Sequence, residues 1–140
     1  MLFLGTVWVI GMMGCGSKES LNGASPLLVH LQFPQSFSPS TTRYQRFLSR
    51  ALWMVLRFGN KEVKVDPDHW RDLVVPEVEL PKSGETLALD VSLWDRAWDG
   101  TPRKYPAFAG SKKLNSLEVT RARGEPVVIR LQANVSADEY

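Results

Sequence analysis

The stretch Thr86-Leu-Ala-Leu-Asp-Val-Ser-Leu-Trp-Asp95 decides the fold. Leu87, Leu89, Val91 and Leu93 recur at every second position, and Thr86, Asp90 and Ser92 fill the gaps. Successive side chains of a strand point to opposite faces, so this alternation puts an apolar row on a core and a polar row on water. The same period appears on both sides. Val29, Leu31 and Phe33 alternate with His30 and Gln32; Leu52, Met54, Leu56 and Phe58 alternate with Trp53, Val55 and Arg57. Phe58-Gly-Asn-Lys61 carries the signature of a tight hairpin, and Glu62 to Val65 is the returning strand. Further strands are expected over Leu73 to Leu80, Tyr105 to Phe108, Leu117 to Thr120 and Val127 to Val135. Ser40 to Arg50 is the one segment expected to make a helical turn. Seven or eight short strands, separated by turn signals and with no long helix, point to an all-β antiparallel β-sandwich. An immunoglobulin-like or transthyretin-like arrangement is expected.

The chain has 140 residues, 44% hydrophobic and 23% charged, which suits one packed domain and is too short for two. Seventeen Lys and Arg stand against fifteen Asp and Glu, a formal charge of +2. Such a balance makes no field able to gather nucleic acid, and none is expected as a partner. One cysteine leaves no internal disulfide, so packing must stabilise the domain.

That cysteine, Cys15, stands where the apolar run Leu2 to Met13 gives way to Gly16-Ser-Lys-Glu-Ser20. The run is shorter than the roughly 20 apolar residues a spanning helix needs, and has the length of a signal-peptide hydrophobic region. Met12-Met-Gly-Cys15 resembles the lipobox of bacterial lipoproteins: Gly14 matches the small residue before the cleavage point, and Cys15 matches the cysteine the motif requires. Met12 stands where leucine is usual, and no Lys or Arg precedes Leu2, so a start upstream of Met1 is expected. The resemblance implies a signal peptide over residues 1–14 and lipidation of the Cys15 thiol. It also implies a mature protein held in the bacterial cell envelope by its acyl chains, each buried methylene contributing about 0.8 kcal/mol. With Gly16 rather than Asp after the cysteine, it further implies the outer membrane in a Gram-negative cell. Residues 15–26 then form the lipidated end and a flexible tether of roughly 20 Å, and residues 27–140 the sandwich.

Signals for chemistry are sparse. His30 falls on the polar face of a strand, and His69 lies in the acidic turn Asp66-Pro-Asp-His-Trp70. No nucleophile–base pair and no Cys/His cluster at metal-ligand spacing is found, so no enzyme, metal or cofactor is expected. Asp95 and Asp99 flank a loop closed by Gly100, a weak calcium pattern weakened further by Arg96 between them. Asn134-Val-Ser136 fits a glycosylation sequon that a bacterial protein would leave unused. The remaining signal is aromatic: Trp94, Trp98 and Tyr105, beside Lys104, are candidate ligand-binding residues. Rings of this kind anchor protein partners or stack on sugars. The expected function is therefore a non-catalytic envelope lipoprotein engaged in protein interaction, adhesion or assembly. A carbohydrate-binding module reading cell-wall or surface glycan through these aromatics is the alternative.

Overall fold

The computed structural model describes residues 25–70 and 73–140. Cys15 and the signal segment lie outside the described residues. The described residues form eight strands: β1 (Ser25–Gln32), β2 (Ala51–Phe58), β3 (Lys61–Val65), β4 (Leu73–Val78), β5 (Leu87–Asp95), β6 (Phe108–Leu114), β7 (Val127–Arg130) and β8 (Gln132–Ala133). Two helices, α1 (Thr42–Arg50) and α2 (Ser116–Arg121), interrupt them. The strands lie in two sheets, ordered β4-β1-β7 and β3-β2-β5-β6-β8. The fold is an all-β sandwich.

The alternation read in the sequence explains the core. Leu89, Val91 and Leu93 of β5 are buried, as are Met54, Leu56 and Phe58 of β2. They meet Leu27, Val29 and Leu31 of β1, Val75 of β4 and Ile129 of β7 in one cluster drawn from both sheets. Aromatic rings close one end: Phe108 makes edge contacts with Phe37 and Phe47, each at 4.8 Å between centroids. The hairpin between β2 and β3 turns at Gly59, whose φ of +62° suits the short loop.

Five expectations need correction. β1 takes in Ser25 and Pro26, assigned above to the tether; Ser25 pairs with Val78 across a bulge, which accommodates a proline that has no N–H to donate. Leu117 to Thr120 is not a strand but part of α2. Asn115 and Glu118 form a reciprocal capping box, with Asn115 Oδ1 accepting from the Glu118 amide at 2.8 Å, and Val119 is buried beneath it. Val127 to Val135 is not one strand. The chain leaves the smaller sheet after Arg130 and enters the larger at Gln132, while the Leu131 amide donates to the Gln32 carbonyl at 2.9 Å. The strand expected at Tyr105 begins instead at Phe108 and runs through Lys112 and Lys113, whose exposed side chains mask the period. The sheets are also not wholly antiparallel, because β1 and β7 pair in parallel, Val29 opposite Val127.

Gly110 marks where β6 passes closest to β7. A Cβ at that position would sit 2.5 Å from the Arg130 carbonyl oxygen and 3.0 Å from Ile129 Cγ2. Only glycine lets the two backbones approach so closely.

Candidate binding loop

The inward positions of β5 are the odd ones, and the series ends on Asp95. A carboxylate there must lie inside the sandwich, and it is 0% exposed. Burying an unpaired charge costs several kcal/mol, so partners must converge on it. Arg103 Nε donates to Asp95 Oδ1 at 2.8 Å, and the Tyr140 hydroxyl donates to Oδ2. Arg103 Nη2 also donates to Glu139 Oε1 at 3.0 Å. Burial alone would lower the Arg103 pKa; the Glu139 hydrogen bond and the Asp95 charge outweigh it and hold the guanidinium above its usual range. Tyr140 is pushed up by burial and, beyond that, by its bond to the Asp95 carboxylate and that group's charge.

Helix α1 completes the arrangement. Thr41 caps it, accepting from the Tyr44 amide at 3.2 Å, and Tyr44 and Phe47, three residues apart, turn into the core. Its arginines reach the 137–140 turn: Arg46 Nη1 donates to the Tyr140 backbone oxygen at 2.7 Å, and Arg50 Nη1 to the Glu139 carbonyl at 3.0 Å.

Between the paired Asp95 and Arg103 the chain makes a small closed loop. Arg96 bridges Pro102, the Ala97 amide donates to the Thr101 carbonyl at 2.8 Å, and Gly100 turns the chain at φ +88°. Asp99 Oδ1 accepts from the Thr101 hydroxyl at 2.7 Å and its amide at 3.1 Å, and these bonds hold the Asp99 pKa below its usual value. Trp98 stands at the tip, 77% exposed. A large apolar side chain is thus presented on a loop whose base is locked from inside.

The candidate residues from the sequence are distributed as follows. Trp94 is half-buried on the outer face of β5, opposite Trp53 of β2, with Nε1 donating to Ser92 Oγ at 3.0 Å. Tyr105 is 49% exposed beyond the loop, next to exposed Lys104. Among the described residues no ring contact joins Trp94, Trp98 and Tyr105. Asp95 and Asp99 do not converge, one being buried against Arg103 and the other exposed against Thr101. His30 and His69 are exposed, and among the described residues no group of three His, Cys, Asp or Glu side chains is placed to hold a metal ion. Trp70 beside His69 belongs to the core, stacked on Phe47 at 5.8 Å.

Sequence reasoning missed Arg103, Glu139 and Tyr140. The signal that would have found them is Asp95 itself, because period two puts its carboxylate inside. The fold and loop together define a β-sandwich that displays one rigidly based aromatic loop. The chain matches no known family model, no curated protein and no solved structure.

Proposed function

We propose that the protein is a non-catalytic lipoprotein of the bacterial cell envelope, anchored through Cys15, whose sandwich engages a protein partner through the Trp98 loop. The observation that carries the interaction is Trp98, 77% exposed on a loop fixed by the Asp95–Arg103 pair. Tryptophan is among the residues that dominate interface energetics, and a pre-ordered loop loses little conformational entropy on docking. Basic Arg96 and Lys104 and the exposed ring of Tyr105 neighbour it in the chain. The anchor rests on the lipobox resemblance of Met12 to Cys15. Among the described residues no helix is long and apolar enough to cross a membrane.

Two measurements test the reading. Metabolic labelling with a palmitate analogue should mark the wild type and not Cys15→Ser; equal incorporation removes the anchor. A photo-reactive residue placed at position 98 should cross-link a discrete envelope protein, and the same probe placed at exposed Asn60, across the larger sheet, should not. Identical cross-linking from both positions removes the loop's role. Trp98→Ala should leave stability within about 0.5 kcal/mol of wild type, as exposed substitutions do.

A further inference from the structure

The outer face of the larger sheet holds an open trough of about 710 Å³. Its floor is low because Ser92, Ala109 and Ser111, small residues on neighbouring strands, share that face. Trp94, Ser92 and Asp90 run along β5 at every second position, and Asp90 lies opposite Arg57 on one side and Ser111 on the other. Exposed Arg130 and Gln132 add a guanidinium and an amide to the lining.

We infer that this trough binds a neutral oligosaccharide, with Trp94 as its stacking surface. Four observations favour that occupant. Charges of both signs meet here: Arg57, tied to Glu62 at 2.8 Å, Arg130 and Lys64 stand among Glu62 and Asp90, so a polyanion would meet carboxylates as well as cations. The walls offer carboxylate, guanidinium, amide and hydroxyl groups, donors and acceptors together, which suits a ligand whose hydroxyls do both. The backbone groups of β5, the floor of the trough, are engaged by β2 on one side and β6 on the other, so a polypeptide strand finds no free edge along that floor. The two tryptophans of this face also differ. Lys64 Nζ covers Trp53 at 4.5 Å, whereas among the described residues Trp94 has no ring or cation on it. Its bond to Ser92, two residues earlier on the same face, leans the indole along the strand towards the trough. The volume lies within the roughly 300–1,000 Å³ of small-ligand sites. This site is built on the sheet face, without Trp98 in its lining, and the inference does not rest on the loop's role.

Calorimetric titration with two neutral tetrasaccharides, cellotetraose and chitotetraose, tests the inference, with an acidic tetrasaccharide of uronic acids as the counter-probe. At least one neutral probe should bind saturably, tighter than about 1 mM. Trp94→Ala should weaken it at least about fivefold, the scale of one lost ring contact. Gln132→Ala and Arg130→Ala, changes at exposed side chains, should weaken it too, and Trp98→Ala should leave it unchanged. Absence of saturation by both neutral probes overturns the inference. So does tighter binding of the acidic probe, or binding lost in Trp98→Ala and kept in Trp94→Ala.

Discussion

Removing one hydroxyl, in Tyr140→Phe, probes the buried network directly. Tyr140 is 5% exposed and its hydroxyl donates to the Asp95 carboxylate. A hydrogen bond to a charged group contributes about 1.5–3 kcal/mol, and Asp95 would retain only Arg103. At pH 8 the variant should therefore be less stable by about that amount. The pH dependence is the sharper reading. In the fold the Tyr140 pKa is raised, by burial first and then by Asp95; in the unfolded chain it is about 10. The folded protein then keeps a proton that the unfolded chain gives up. This contribution is complete below pH about 10 and declines above it, by about 1.4 kcal/mol per pH unit, until the raised folded pKa is reached. Phenylalanine has no such proton, so the gap between wild type and variant should narrow above pH 10. Urea unfolding of both proteins at pH 8, 10 and 11 measures it. A gap that stays constant from pH 8 to 11 would refute the raised Tyr140 pKa and the reasoning built on it.

Three more substitutions have definite expectations. Asp95→Ala leaves Arg103, whose side chain is 8% exposed, with Glu139 alone and the buried Tyr140 hydroxyl without its acceptor, and should cost about 3–5 kcal/mol in chemical denaturation; a loss below about 1 kcal/mol would mean that water replaces the carboxylate freely. Gly110→Ala forces a Cβ towards the Arg130 carbonyl at 2.5 Å and should lower stability by about 1–3 kcal/mol, read as a depressed melting temperature; an unchanged or raised melting temperature would contradict the close crossing of β6 and β7. Asn115→Ala removes the cap of α2 and should cost about 0.5–2 kcal/mol, with faster amide exchange at Glu118 and Val119; exchange rates equal to wild type would show that the capping box contributes nothing.

The parts of this fold legible in the sequence are those where one period governs a whole element. Met54, Leu56 and Phe58, like Leu89, Val91 and Leu93, announce their faces because a strand with one face on the core and one on water can hardly be written otherwise. Period alone does not reveal where a strand changes partners. Val127, Ile129 and Leu131 alternate without a break, although the chain changes sheets at Leu131, because both sheets face the same core and demand the same inward residue. Leu117-Glu-Val-Thr120 is too short for its period to separate helix from strand, and the deciding signal was Asn115 three residues before Glu118. The parallel pairing of β1 with β7 depends on contacts about a hundred positions apart, which no local pattern encodes. At the candidate loop, Trp98 was legible as an aromatic near glycine, while its foundation was hidden. Arg103, Glu139 and Tyr140 come from separate segments and meet only once the sandwich closes.

The order β4-β1-β7 also has a mechanical meaning. Ser25, the first residue of β1, is where any tension carried by the preceding segment enters the domain, and β1 is the central strand of its sheet. A pull along that strand loads the antiparallel ladder to β4 over Ser25 to Val29 and, behind it, the parallel ladder to β7 over Val29 to Gln32, so both neighbours share the load. An outer strand would peel away under the same tug. With β1 in its middle, the smaller sheet meets a pull on the N-terminal end of the domain with a neighbour on either side of the loaded strand.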